Sequence, residues 1–184
     1  MEDYKYYLKE VLIPEADLKK RVAELGQQIS QDYADAKDLL LICILRGGVM
    51  FLTDLMRHIN IPHSIDFMAV SSYGVGGRES QGAVRIKMDL MTDIRDRDVL
   101  VVEDIVDSGH TLSSVLQLLS TRKPASLHIC TLLDKEERRE VEVPIRYRGF
   151  SIPNKFVFGY GLDLDEIYRN LPFIGVVDLN KYDA

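Results

Sequence analysis

Residues 99 to 112 read Val-Leu-Val-Val-Glu-Asp-Ile-Val-Asp-Ser-Gly-His-Thr-Leu. Four apolar, mostly β-branched residues in a row are the signature of a strand buried on both faces, the kind found inside a parallel sheet. Three carboxylates follow at once: Glu103, Asp104 and Asp107. Ser108, Gly109 and Thr111 then open an apolar-periodic helix carrying Leu112, Val115, Leu116 and Leu119. Backbone N–H groups at a helix start can cradle a phosphate dianion, and the helix dipole favours it. Carboxylates beside such a turn can bind hydroxyls or a divalent cation. The bland alternative is a strand end followed by a capped helix, with Asp107 as the cap and the acids facing solvent. Three acids crowded against a dry strand repel one another unless something cationic sits there, so the stretch reads as a sugar-phosphate site.

The rest of the chain repeats the strand-then-helix rhythm. Residues 15–33 place Leu18, Val22, Leu25, Ile29 and Tyr33 at helical spacing, with Pro14 near the start. Residues 38–45 form a second fully buried strand, which Arg46-Gly47-Gly48 breaks before a helix from about 49 to 59. Residues 64–70 alternate as a third strand. Residues 71–83 hold Gly74, Gly76, Gly77 and Gly82 among polar residues and read as a flexible loop. Strand-like segments recur at 84–90, 99–103, 126–133, 156–160 and 173–178. This alternation implies an α/β fold with a mainly parallel twisted sheet and helices on both faces. Ligands in such sheets bind beyond the carboxyl ends of the strands. The acid cluster, Arg46-Gly47-Gly48 and the glycine loop would share that edge.

Bulk properties narrow the function. A chain of 184 residues without repeat or linker is expected to form one domain, residues 1–184. No apolar run approaches the roughly 18 residues needed to span a membrane, and the Met-Glu-Asp-Tyr-Lys-Tyr-Tyr-Leu start lacks signal-peptide regions. Cys43 and Cys130 each lie in an apolar run and read as buried free thiols of a reducing cytoplasm. His58, His63, His110 and His128 are too scattered for a zinc site. The net charge of −6 argues against nucleic acid or an anionic membrane as partner. An acidic chain that takes a polyanionic substrate must rely on local backbone donors, a few placed cations and Mg²⁺.

The 99–111 stretch resembles the phosphoribosyl-pyrophosphate (PRPP) signature of the type I phosphoribosyltransferases: an apolar run, two acids, two apolar residues, then Asp-Ser/Thr-Gly-x-Thr. The resemblance extends over nearly the whole chain, and Leu45-Arg46-Gly47-Gly48, Leu132-Leu133-Asp134-Lys135 and the run Asn154 to Asp163 are similar to further motifs of the hypoxanthine (hypoxanthine-guanine) phosphoribosyltransferases. It implies the type I fold with a small base-binding hood, and transfer of phosphoribose from PRPP to N9 of hypoxanthine or guanine.

By this resemblance, Arg46 and Gly47 belong to the pyrophosphate loop, where the family can carry a non-proline cis peptide, and Arg169 is a further pyrophosphate contact. Ser72 and Tyr73 open the mobile lid. Glu103 and Asp104 take the ribose hydroxyls and Mg²⁺. Ile105, Val106, Asp107, Ser108, Gly109, His110 and Thr111 form the phosphate loop, with Asp107 the candidate general base toward N7. Many relatives carry Lys or Arg where His110 stands, so the charge at this position stays open. On the purine side the match gives Lys135 to the 6-oxo group, Phe156 to the base face, Val157 to the base edge, and Asp163 to the Mg²⁺ nearer pyrophosphate. A lone strand-end lysine is ordinarily solvated and a lone Phe156 ordinarily core. An ammonium can only donate, however, so it satisfies a 6-oxo group and opposes the amino group of adenine.

The resemblance further implies a cytoplasmic homodimer or homotetramer. A xanthine-preferring transferase fits the same residues. A non-catalytic PRPP- or nucleotide-sensing regulator on the same fold would need a basic surface, and the chain has 29 acidic against 23 basic residues.

Overall fold

β5, Asp98–Val106, is the strand announced by the apolar run, and it sits in the middle of the larger sheet with Val99 to Val102 fully buried. The computed structural model describes residues 3–72 and 84–182. In chain order the elements are α1 (Tyr4–Tyr7), β1 (Leu8–Ile13), α2 (Glu15–Asp32), β2 (Leu39–Leu45), α3 (Val49–Met56), β3 (His63–Ser72), β4 (Val84–Met88), β5, α4 (His110–Ser120), β6 (Ser126–Asp134), a 3₁₀ turn at Glu136–Arg138, β7 (Ile145–Ser151), β8 (Val157–Phe158), β9 (Ile174–Val177) and α5 (Leu179–Tyr182).

The larger sheet runs β4-β3-β2-β5-β6-β7, parallel except for β4, which pairs antiparallel with β3. From β2 the chain steps outward to β3 through α3, and from β5 it steps the opposite way to β6 through α4. Right-handed crossovers in opposite directions must put their helices on opposite faces, and they do. Leu18, Val22, Leu25 and Ile29 of α2 and Phe51, Leu52 and Leu55 of α3 pack on Leu39, Leu41, Cys43, Leu100 and Val102. Leu112, Val115 and Leu119 of α4 pack on Leu40, Ile42, Ile44, Val99 and Val101. The reversal of strand order between β2 and β5 opens a crevice at their carboxyl ends, the usual ligand position in such sheets.

A second sheet, order β1-β9-β8, is entirely antiparallel. It buries Phe158, Leu164, Leu171 and Val177 against Tyr4, Tyr7, Tyr168, Phe173 and Tyr182. It is the hood implied by the family resemblance.

The α/β architecture is as expected, with several corrections. Segments 156–160 and 173–178 contribute to the hood, not to the main sheet. β1 and β7 had no counterpart in the strand reading. The helix read as 49–59 stops at Met56: Phe51, Leu52 and Leu55 are buried, while Val49 and Met50 are each 37% exposed. Pro14 stands at the N-cap of α2, ahead of Glu15 and Asp17, whose charges suit the positive end of the helix dipole. Cys43 and Cys130 are free and buried, as read, and burial pushes the Cys43 thiol up to about 12. Among the described residues, no helix is long and apolar enough to cross a membrane.

Candidate active site

The strand-to-helix turn after β5 forms one wall of the crevice. Gly109 has φ +91° and stands at the N-cap of α4. A Cβ there would come within 2.2 Å of the Val141 carbonyl oxygen, so the position needs glycine for both conformation and space. The turn is braced from behind: the amides of Glu140 and Val141 both donate to the Ser108 carbonyl, at 2.9 and 3.0 Å. Glu103, Ile105, Val106, Asp107, Ser108, Gly109 and Thr111 line a cavity of about 180 Å³ at the helix start. The first N–H groups of a helix lack intrahelical acceptors and suit an anion. His110 turns its ring away to Glu140, with Nε2 to Oε2 at 3.0 Å.

Glu103 and Thr111 also border a wider cavity of about 700 Å³, shared with Arg46, Gly47, Lys87, Asp104, Asp163 and Arg169. This volume falls in the ordinary range for small-molecule sites, about 300–1,000 Å³. Burial, then the neighbouring Asp104 charge, pushes the Glu103 carboxyl well above its ordinary value. Burial also raises Asp104, although hydrogen bonds and Arg169 oppose it. Gly47 passes so close that a Cβ would lie 1.5 Å from Asp104 Oδ2. The cis peptide of this loop is Leu45–Arg46, one bond before Arg46–Gly47. Among the described residues, no three acids, histidines or cysteines gather into an all-protein metal site. Glu103 and Asp104 stand on one wall of this cavity and Asp163 on the other.

Asp107 corrects one reading. It does not cap α4, whose N-cap Gly109 has no side-chain cap bond. Its Oδ2 lies 3.5 Å from Lys135 Nζ and its Oδ1 3.2 Å from Arg138 Nε. Lys135 is not a solvated strand-end lysine either. It is 7% exposed, and its amide donates to the Val106 carbonyl at 2.9 Å, joining the ends of β5 and β6.

The opposite wall comes from the segment between β8 and β9. Arg169 binds Asp163 at 2.8 Å and the Gly161 carbonyl at 2.8 Å. Glu166 takes both Arg46 and Arg169. A Cβ at Gly161, φ +101°, would meet the Gly47 carbonyl oxygen at 2.1 Å, so this hairpin rests directly on the loop after β2. Phe156 is 43% exposed, which sets aside its core reading. Its ring stands edge-on to Tyr182 with centroids 5.7 Å apart. Val157 is buried beside it. Both lie on the hood and border neither of these two cavities. Ser72 closes β3 opposite Val84; Tyr73, and with it most of the expected lid, lies outside the described residues.

Residues 14–165 match the model of the phosphoribosyl transferase domain. The hypoxanthine phosphoribosyltransferase of Salmonella typhimurium is 54% identical over 171 residues, 92% of this chain and 96% of that protein. The chain belongs to the phosphoribosyltransferase family. The hypoxanthine-guanine phosphoribosyltransferase of Dictyostelium discoideum is 51% identical over 170 residues, covering 91% of this chain and 94% of its own. A crystal structure of a hypoxanthine phosphoribosyltransferase from Staphylococcus aureus superposes with a TM-score of 0.93 at 47% identity, covering 99% of this chain and 98% of that one.

Within this phosphoribosyltransferase, the crevice contains groups that the sequence reading did not single out. Arg138 and Glu140 brace the turn from a segment about 30 residues downstream, Lys87 enters from β4, and Glu166 ties the two walls together. Arg138 and Glu140 reach the turn across about 30 residues of sequence and Glu166 reaches Arg46 across 120, so no local pattern marks these contacts.

Proposed function

We propose that this chain is a hypoxanthine-guanine phosphoribosyltransferase: it transfers the 5-phosphoribosyl group of PRPP to N9 of hypoxanthine or guanine and releases pyrophosphate. One observation carries the reading. Asp107, a carboxylate in the phosphate turn, meets Lys135, a buried pure donor, where β5 and β6 end. A 6-oxopurine presents N7 and O6 on one edge, so a base and a donor side by side match that edge. Adenine would set its amino group against the ammonium.

The 5′-phosphate rests on the amides of Ser108 to Thr111 and the hydroxyls of Ser108 and Thr111. Glu103 and Asp104 orient the ribose through its 2′- and 3′-hydroxyls. Asp107 draws the proton from N7 and makes N9 the better nucleophile, while Lys135 holds O6. Phe156 covers the base face and the Val157 backbone meets its edge. Arg46 and the amide of Gly47, with Arg169, hold the departing pyrophosphate. Ser72 and Tyr73 begin the lid that keeps water from the ribosyl centre.

The donor set fits Mg²⁺. Glu103, half-buried, and Asp104, buried, stand side by side with no ion pair among the described residues, and magnesium usually takes one or two carboxylates and fills its remaining positions from substrate and water. Glu103 and Asp104 would hold it on the ribose side and Asp163 on the pyrophosphate side. Bound there, it supplies charge neutralisation for a polyanionic leaving group.

The protein acts in the cytoplasm as a single domain and as a homodimer or homotetramer, with Val49 and Met50 exposed for a subunit contact. The test is pyrophosphate release with PRPP, Mg²⁺ and hypoxanthine, guanine, xanthine or adenine. Turnover with hypoxanthine and guanine is expected, and none with adenine. A preference for xanthine would reassign the substrate, and no turnover with any base would remove the enzymatic reading.

A further inference from the structure

The hairpin that carries Asp163 and Arg169 begins with three successive residues in the left-handed region: Gly159 at φ +95°, Tyr160 at +48° and Gly161 at +101°. Glycine adopts this conformation freely, but an aromatic residue does not. The backbone at residue 160 would be served better by glycine or asparagine. What a tyrosine adds is its side chain, and that side chain points away from the cleft. The ring is 6% exposed, inside the main core cluster. Its hydroxyl donates to Asp54 Oδ2 at 2.7 Å. Burial and the Asp54 carboxylate both raise the phenol above its ordinary value, so it stays a donor.

Asp54 lies on α3, which starts immediately after Gly47-Gly48. On the hairpin side, the Tyr160 amide donates to the Leu171 carbonyl and the Gly161 amide to the Arg169 carbonyl, each at 2.8 Å. Tyr160 therefore sits at the root of the hairpin and reaches the helix that grows out of the Arg46–Gly47 loop. The same root rests on the Gly47 carbonyl through Gly161. Two contacts, one of backbone and one of side chain, fix the wall bearing Asp163 and Arg169 against the loop bearing Arg46.

We propose that Tyr160 is a positioning residue for the pyrophosphate half of the site: its bond to Asp54 sets the distance between the Asp163–Arg169 wall and the Arg46–Gly47 loop. The proposal rests on the function proposed above. It predicts a selective effect. Asp107 and Lys135 are held by the ends of β5 and β6, and Val157, beside Phe156, is held by its own pairing with Val176 of β9, so the purine side is expected to change less than the pyrophosphate side.

The experiment is steady-state kinetics in both directions with Tyr160→Phe, Asp54→Ala, Asp54→Asn and the double variant Tyr160→Phe/Asp54→Ala. Tyr160→Phe and Asp54→Ala are expected to raise KM for PRPP and for pyrophosphate about 5- to 10-fold, the factor of one lost hydrogen bond, with KM for hypoxanthine within about twofold of wild type. Asparagine still offers an acceptor, so Asp54→Asn restores the wild-type values. The double variant matches either single one, because the same bond is lost. Equal KM values for PRPP in wild type and Tyr160→Phe would overturn the proposal, and so would parallel rises for PRPP and hypoxanthine. Asp54 is only partly buried, so the Asp54 variants decide the matter should Tyr160→Phe fold poorly. A wild type that fails to turn over PRPP with any 6-oxopurine removes the parent reading instead, an outcome visible before any variant is compared.

Discussion

The two walls of the crevice handle charge in opposite ways. Where β5 ends, Glu103 and Asp104 stand side by side with no ion pair among the described residues, and their carboxyls are raised by burial. Across the gap, the hairpin between β8 and β9 pairs its charges internally: Asp163 and Glu166 with Arg169, and Glu166 again with Arg46. Under the proposed function, a cation or a hydroxyl-rich ligand would complete the first wall. The second pairs its charges internally, and under the proposed function its arginines would exchange carboxylates for phosphate oxygens. Asp107 stands between these extremes, its charge shared with Lys135 and Arg138.

The comparison breaks most sharply at Asp107. Asp107→Asn keeps the shape of the side chain and removes the proposed base, so turnover should fall by about 10²–10⁴-fold. The Asp107 side chain is itself 45% exposed and asparagine keeps an oxygen acceptor for Lys135 and Arg138, so thermal melting should show a folded variant. Undiminished turnover in that folded protein ends its role as base. Next in size is Lys135→Met. A hydrogen bond to a charged donor is worth about 1.5–3 kcal/mol, or roughly 10–150-fold in kcat/KM for hypoxanthine. KM for PRPP should barely move, and an equal loss for both substrates would mean that Lys135 serves the frame of the site and not the purine.

Glu103→Gln tests the first wall through stability. A carboxyl raised in the folded state favours the protonated fold, so its ionisation destabilises the free protein as pH climbs above the ordinary carboxylate range. The variant should therefore melt higher than wild type at pH 8, with the gap closing toward pH 4. Differential scanning calorimetry across that range checks the sign; a gap widening on acidification contradicts it. The smallest effect belongs to the self-paired wall. Glu166→Gln frees Arg46 and Arg169 from an exposed carboxylate, and such pairs are worth about 0–1 kcal/mol. Pyrophosphate should bind up to about fivefold tighter at low salt in a calorimetric titration, with the melting temperature unchanged. Weaker binding would show that Glu166 aims the arginines instead of competing for them.

The first wall was readable from the chain and the second much less so, for one physical reason. β5, its acids and the start of α4 are contiguous, so residues 99–112 show strand, charge and helix side by side. α2 and β2 were equally plain, since Leu18, Val22, Leu25 and Ile29 keep strict helical spacing and residues 39–44 are all buried. β7 escaped because it is an edge strand with Arg146 and Arg148 turned to solvent, leaving Tyr147 as its one fully buried side chain. β1 escaped because only Ile13 is buried in it. Arg46 and Arg169 were found by motif, but Glu166, which joins them, lies 120 residues from Arg46 and belongs to no periodic pattern. Likewise the family motif supplied Lys135, while its burial against Asp107 comes only from the pairing of β5 with β6.

One feature of the hood bears on how the molecule is made. Its middle strand, β9, joins Val177 to Leu8 on one side and Gly175 to Phe158 on the other. The pairing of β1 with β9 closes over a very long loop, which is slow, whereas β8 and β9 are near each other in sequence. On the ribosome, the phosphate turn and α4 can settle while β9 is still unsynthesised. The three-stranded sheet is complete only once β1, near the start of the chain, meets β9, so a nascent chain can form the turn after β5 before it closes this sheet.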